Sequence, residues 1–215
     1  MEATVRMGKL AVNPIGGLGN QLFIIAHGYK LAREQGRELV IDTFKWGANQ
    51  GEHINNYKDN IFKNFTFGKG ENIPIGYYQG EKYFEPYGRE FVNKLSLNIT
   101  KIERVAVHIR RGDYVGSNYQ VCDDDYYKRA IDMFDMEMTI FTDDPVYCEK
   151  FGLPIFSGTT LQAFENMACH SVVICSNSSF SWWASYIGQS IAVVPKKWYL
   201  DKTDNDVYRK DMVKI

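Results

Sequence analysis

The sequence predicts an α/β protein whose strands pair in parallel and are covered by helices. Between about residues 104 and 195, short apolar β-branched runs alternate with amphipathic stretches. That is the pattern of strands joined through helical crossovers. Three apolar runs also end in clusters of glycine, amide, hydroxyl or charged residues, at 13–21, 110–114 and 176–181. In open parallel sheets ligands gather beyond the carboxyl ends of strands, so such clusters belong there. The 215 residues suffice for one large domain or two small ones, and 45% hydrophobic with 24% charged residues describes an ordinary globular chain.

The elements follow in order. A strand at 10–12 leads through Gly16, Gly17 and Gly19 into a helix, marked by Leu22, Phe23, Ile25, Ala26, Tyr29 and Ala32 and closing at Gly36. A second strand lies at 39–42. From 43 to 98 the pattern dissolves into Asn, Gly, Tyr and Phe without a clear period. Then come a strand at 104–109, a helix at 125–136, a strand at 139–142, a short helix at 146–151 and a strand at 154–157. A helix at 161–169, a strand at 172–175, a helix at 179–187 and a strand at 191–195 complete the chain. The change in pattern places a boundary between halves 1–101 and 102–215.

The net charge of −1 gives no support to a nucleic-acid or anionic-membrane partner. Cys122, Cys148, Cys169 and Cys175 show neither metal-ligand spacing nor a disulfide framework, and are expected to be free thiols in a reducing compartment. No apolar run approaches a membrane span and MEATVRMGKL lacks a signal-peptide core, so a cytoplasmic protein is expected.

The chemistry lies at the strand ends. Val107-His108-Ile109-Arg110-Arg111-Gly112-Asp113-Tyr114 closes a strand on two guanidiniums and a carboxylate. Arginine keeps its charge at any working pH and offers paired planar donors, so two at a strand tip suggest an anionic ligand. Leu18-Gly19-Asn20-Gln21 follows a glycine turn into a helix start, where backbone N–H groups and the helix dipole favour anionic or polar groups. Leu22 occupies the third glycine position of a dinucleotide fingerprint, so Gly17 and Gly19 do not complete that motif. Asn177, Ser178 and Ser179 open the third cluster, which offers more hydroxyl and amide groups than one helix cap requires.

Together Gly-Gly-Leu-Gly-Asn-Gln at 16–21, His-Ile-Arg-Arg-Gly-Asp-Tyr at 108–114, Asp143-Asp144-Pro145 and Asn-Ser-Ser-Phe-Ser-Trp-Trp at 177–183 resemble the α-1,2-fucosyltransferase family, glycosyltransferase family 11. The chain looks like a short member of the bacterial or viral type, which lacks a membrane anchor. The resemblance implies a GT-B-like architecture of two Rossmann-like halves facing a cleft, 1–101 on the acceptor side and 102–215 on the GDP-fucose side. It also implies inverting transfer of L-fucose from GDP-fucose to the 2-hydroxyl of a galactosyl glycan. Arg110 would stabilise the departing β-phosphate. Asn20, with Gly17 and Gly19, would lie near donor phosphate and acceptor. His108 would contact the nucleotide or its ribose, and Ser178 and Ser179, beside Asn177, the phosphates. Asp143 and Asp144 would fix the nucleotide side without a metal, and no cofactor is expected beyond the sugar donor. Arg111 points to the opposite strand face as a structural ion-pair partner. His27, His53 and His170 match no catalytic pattern.

Two departures stand out. The reduced region lies mainly between 45 and 103, where acceptor contacts belong. The carboxylate that reads guanine in related families is replaced by Gln162 and Ala163, with Glu165 the nearest alternative. For a general base the sequence offers Asp113, while Asp123, Asp124 and Asp125 read more readily as helix capping. Two other readings remain: a protein O-fucosyltransferase, and a nucleotide-sugar-binding module without turnover. The oligomeric state is not written in the sequence.

Overall fold

The structure, a computed structural model, describes residues 8–43, 52–201 and 206–215. The segment read as lacking a signal-peptide core falls largely on residues 1–7, outside the described residues, as does the start of the shortened region at 44–51. The chain forms two compact units, Met1–Leu97 and Asn98–Ile215.

In the first unit β1 (Lys9–Val12), α1 (Leu18–Glu34) and β2 (Glu38–Ile41) make one strand–helix–strand crossover. The short β3 (Thr66–Phe67) and β4 (Glu71–Asn72) extend the sheet to the order β3-β2-β1-β4, every pair parallel. α1 begins at Leu18, ahead of the apolar helical pattern that opens at Leu22, because the Gln21 N–H reaches the Gly17 carbonyl at 3.0 Å and closes a turn there. Gly19 and Asn20 therefore belong to the helix's first turn. Beyond Ile54 the unit is built from short turns and α2 (Gly88–Lys94) around buried Phe62, Phe65, Phe84 and Phe91. Phe65 packs against Phe62 and Phe91 with both ring pairs 5.9 Å apart. An aromatic core supplied by single residues in irregular backbone leaves no period to read.

The second unit holds β5 (Ile102–Ile109), α3 (Asp124–Ile131), β6 (Met138–Thr142), α4 (Pro145–Cys148), α5 (Thr160–Cys169), β7 (His170–Ile174), α6 (Ser179–Gly188), β8 (Ile191–Val194) and β9 (Val213–Lys214). The sheet order is β6-β5-β7-β8-β9, all parallel. Val105, Val107 and Ile109 pack on one face with Tyr126, Tyr127 and Ile140. Alternation along β5 then sends His108 to the other face, where Phe180 of α6 lies.

Two elements differ from expectation. The helix expected at 125–136 ends at Ile131 and tightens into i→i−3 bonds from Met133 and Phe134. Asp132, Asp135 and Glu137 put negative charge where the helix dipole disfavours it. The expected strand at 154–157 is one bridge between Ile155 and Ile140. Pro154 has no N–H to donate, so the ladder cannot extend backward. β9 was not expected. Cys122, Cys148, Cys169 and Cys175 are free thiols, and no helix among the described residues is long and apolar enough to cross a membrane.

Candidate active site

β5 delivers Arg110 and Arg111 side by side at its carboxyl end, and each finds its own carboxylate from the neighbouring end of β6. Arg110 Nη1 lies 2.6 Å from Asp143 Oδ2, and its Nη2 lies 2.6 Å from Asp113 Oδ1. Arg111 Nε lies 3.0 Å from Asp144 Oδ2. The pairing in adjacent registers follows from parallel β5 and β6, with Ile109 opposite Thr142. Asp143 also accepts the Arg111 backbone N–H at 2.8 Å. It thus holds the backbone of one arginine and the side chain of the other.

Gly112 makes this possible, since a Cβ at that position would come within 2.6 Å of Asp143 Oδ2. Tyr114 supports Arg110 from below, the guanidinium standing 5.6 Å from the ring centre. The Tyr114 hydroxyl donates to the Asn177 carbonyl at 3.3 Å. Beside the tip lies a shallow hollow whose walls include Arg110, Arg111, Tyr114, Tyr119, Cys122 and Tyr147.

Arg111 takes the structural place expected of it. Its guanidinium lies 3.4 Å from the Tyr147 ring centre, and Lys150 covers the same ring at 3.5 Å. Asp144 caps α4 by accepting the Tyr147 N–H at 3.1 Å. That bond first, and then Arg111, hold its carboxyl below the usual range.

His108 is only 6% exposed. Its Nδ1 lies 2.9 Å from both Ser176 Oγ and Ser181 Oγ, and its ring packs on Phe180. Burial, then the charge of Arg110, lowers its pKa to about 3, so the ring is neutral at working pH. Asn177 is 2% exposed, and its amide donates to the Tyr119 and Trp198 carbonyls at 3.0 and 2.8 Å. It anchors the loop that follows Arg110. Ser178 caps α6, accepting from the Phe180 N–H, and Ser179 follows half-buried in the first turn.

Gly17, Gly19 and Asn20 belong to the first unit. Gly16 turns the chain at φ +76°, Gly17 caps α1, and Gln21 pins the turn by donating to the Gly16 carbonyl at 2.8 Å. Asn20 accepts from Gln79 Nε2 at 2.8 Å.

Gln162, where a base-reading carboxylate was sought, is spent on the cap of α5. Its Oε1 accepts the Thr159 N–H at 2.9 Å, and its own N–H donates to Thr159 Oγ1 at 3.2 Å. The Thr-x-x-Gln spacing is a capping box legible from sequence alone. Asp123 likewise caps α3 through the Tyr126 N–H. Of the residues sequence reasoning passed over, Tyr114 and Ser181 stood inside quoted motifs, whereas nothing in the local pattern marks Tyr147.

The match to known proteins is consistent with this arrangement. The model of glycosyl transferase family 11 matches residues 87–215, which contain β5 and all the elements after it. The chain belongs to glycosyl transferase family 11. Among the relatives of this family member is an alpha-1,2-colitosyltransferase from Escherichia coli. The two are 27% identical across 86% of this chain and 90% of that protein. Among solved structures, the alpha-1,6-fucosyltransferase NodZ co-crystallised with GDP aligns with a TM-score of 0.52 at 13% identity, covering 85% of this chain and 93% of that one. The iron-containing dodecameric glycosyltransferase TibC from enterotoxigenic E. coli aligns with a TM-score of 0.61 at 12% identity, covering 97% and 62%. The family member is a glycosyltransferase of the GT-B-like α/β class.

Proposed function

We propose that the chain is an inverting transferase that moves L-fucose from GDP-fucose to the 2-hydroxyl of a galactosyl glycan. The observation that carries this is Arg110, a forked cation held at the carboxyl end of β5 by Asp113 and Asp143 in a family 11 chain. The α-1,2 linkage in the name of the Escherichia coli relative supports the acceptor position, and the GDP in the NodZ crystal supports the nucleotide.

In this reaction the acceptor oxygen attacks the anomeric carbon while the bond from that carbon to the β-phosphate oxygen breaks. The electron pair leaves on the diphosphate, and the acceptor proton passes to Asp113 or to the departing phosphate. A guanidinium has five N–H groups. Arg110 spends two on carboxylates, which leaves directional donors for the charge gathering on the β-phosphate. The hydroxyls of Ser178 and Ser179 and the backbone at the start of α6 add donors to the same phosphates. Asp143 and Asp144 take fixed arginine partners on this reading, and no metal or cofactor is assigned to them.

GDP should raise the melting temperature, and GDP-fucose should be consumed when a galactoside such as lactose is present. Equal stabilisation by UDP or CDP would remove the guanine assignment. Donor binding without any turnover would favour a binding module, and turnover only with a peptide acceptor would favour protein O-fucosylation. The relative's name also favours colitose, which is fucose without its 3-hydroxyl, as the transferred sugar. A site that hydrogen-bonds that hydroxyl rejects the deoxy sugar strongly, so kcat/KM for GDP-fucose against GDP-colitose separates the two donors.

A further inference from the structure

We propose that residues 198–201, which follow β8, form a strap that positions Arg110 for the departing phosphate. The strap acts through Asn118, Tyr119 and Tyr114, which are positioning residues rather than catalytic ones. The assignment rests on the glycosyl-transfer reading, in which Arg110 stabilises charge, and adds to it what holds that group in place.

Between Arg111 and α3 the chain makes one short helical turn, Gly112–Tyr114, and then runs irregularly to Asp123. Of the side chains that hold Arg110, Asp113 at 2.6 Å and Tyr114 beneath the guanidinium come from this loop, and Asp143 comes from the end of β6. The placement of the loop therefore sets the direction of the Arg110 fork. Within the loop, Ser117 bonds to the Tyr114 carbonyl through both its N–H and its hydroxyl, at 3.0 and 2.8 Å. A segment without a ladder opens easily unless its neighbours hold it.

Asn177, buried after β7, is one such neighbour. It donates to the Tyr119 carbonyl at 3.0 Å, and its own carbonyl accepts the Tyr114 hydroxyl at 3.3 Å. Its Oδ1 accepts the Cys122 thiol at 3.7 Å. The strap is the other. The Leu200 N–H donates to the Asn118 carbonyl at 3.1 Å, and Asn118 Nδ2 donates to Asp201 Oδ2 at 3.1 Å. The Tyr199 ring meets Tyr119 edge-on with centroids 5.7 Å apart, and Tyr119 stacks on Tyr114 at 5.3 Å. A row of three rings thus runs from the strap to the face below Arg110.

The base of the strap is buried. Trp198 is 4% exposed, its carbonyl accepts from Asn177 Nδ2 at 2.8 Å, and its ring meets Tyr208 edge-on. Asn177 therefore bonds strap and loop at once and fixes the spacing between them. At the outer end Leu200 is 52% and Tyr119 45% exposed. Contacts so open to water add little to stability, and their consequence is the orientation of the loop.

The test uses the full chain with GDP-fucose and lactose. Asn118→Asp sets two carboxylates against each other at the strap, and Tyr119→Ala removes the middle ring. Displacing a catalytic partner by about 1 Å can cost on the order of 100-fold, and these changes act on Arg110 at one remove. Each should lower kcat roughly tenfold, with KM for GDP-fucose within about threefold of wild type and the melting temperature within about 4 °C. Asn118→Asp combined with Asp201→Asn rebuilds the bond with donor and acceptor exchanged, and Tyr119→Phe keeps the row of rings. Both should bring kcat back to within about twofold of wild type. Alkylation of Cys122 by iodoacetamide, followed by peptide mass spectrometry, reports release of the loop without any turnover. Burial pushes the pKa of this thiol up to about 12, so it should react slowly in the wild-type chain and several-fold faster in both loosened variants. Wild-type kcat in Asn118→Asp or Tyr119→Ala, failure of the restoring variants, or unchanged Cys122 labelling would each overturn the strap. Absence of GDP-fucose consumption by the wild-type chain would count against the proposed reaction instead, and Cys122 labelling would then decide whether the strap holds the loop.

Discussion

Replacing Arg110 by lysine separates charge from geometry at the proposed phosphate site. The guanidinium spans Asp143 Oδ2 and Asp113 Oδ1, each 2.6 Å from a different terminal nitrogen. An ammonium has three donors on one nitrogen, so holding both carboxylates leaves at most one for a phosphate and loses the fixed fork. Removing a single preorganised donor of this kind costs about 10²–10³ in turnover, roughly 2.7–4 kcal/mol. Arg110→Lys should therefore lose nearly as much kcat as Arg110→Ala. Stability should hardly move, because solvent-accessible ion pairs contribute only about 0–1 kcal/mol. For a chain of this length that corresponds to a melting shift of about 2–4 °C at most. Arg111→Lys is the matched control. It abandons the Tyr147 face at 3.4 Å and weakens the Asp144 pair, so it should lower the melting temperature while turnover stays within about tenfold. The assay is GDP release at saturating donor and acceptor, alongside thermal unfolding of each variant. Equal losses of kcat in the two lysine variants, or substantial turnover in Arg110→Lys, would refute the placement of Arg110 at the phosphate.

Gly112→Ala should cut kcat about 100-fold, because the new Cβ, 2.6 Å from Asp143 Oδ2, must displace the carboxylate that aims Arg110. Gly68→Ala, with nothing within 4 Å, should be silent, and equal rates in the two would sink the argument. The depressed pKa of His108, about 3, means that the unfolded chain binds a proton the folded state refuses. Stability should be complete above about pH 6.5 and decline as pH falls toward 3, by up to about 1.4 kcal/mol per pH unit. Burial lowers His27 and His170 too, adding to the slope. Urea titrations at pH 7, 6 and 5 measure it, and a flat profile would mean that His108 takes up its proton inside the fold. Turnover should survive EDTA within about twofold on the arginine-based reading of charge stabilisation. Loss restored by Mg²⁺ or Mn²⁺ would reassign Asp143 and Asp144 as metal ligands.

The parallel α/β class was legible because β5, β7 and β8 are apolar runs buried on both faces, and such runs survive as sequence pattern. The strand-end motifs were legible for the related reason that a Gly-Asp turn or a serine run is poor packing material. What failed depended on long-range partners. Nothing local tells that β3, β4 and β9, two residues each, find edges to join, whereas Pro154, which denies the 154–157 segment a ladder, was a local signal. The first unit's aromatic core is assembled from residues in turns, so no periodic signal could reveal it. Arg111 and Tyr147 meet only because β5 and β6 lie side by side in register. Gln162 is a different kind of miss. Its capping-box spacing with Thr159 was available locally and shows what that side chain does instead of reading a base.

The charge at the tip of β5 constrains how a diphosphate could bind. Arg110 and Arg111 face Asp113, Asp143 and Asp144, so the cluster carries one formal negative charge in excess. Net attraction cannot draw an anion here. Directional N–H donors and the helix start of α6 must supply the attraction, and one carboxylate must yield. Asp143 is tied to Arg110 and to the Arg111 backbone and lies against Gly112, so moving it disturbs three contacts. Asp113 is the more exposed of the two, and its one polar partner among the described residues is Arg110. On the proposed reading Asp113 therefore gives way to the phosphate. Its carboxylate is then released beside the reacting centre only when the donor is bound. A group so placed orients Arg110 before binding and can accept the acceptor's proton after it. One short Gly-Asp turn thus meets both requirements without a separate base.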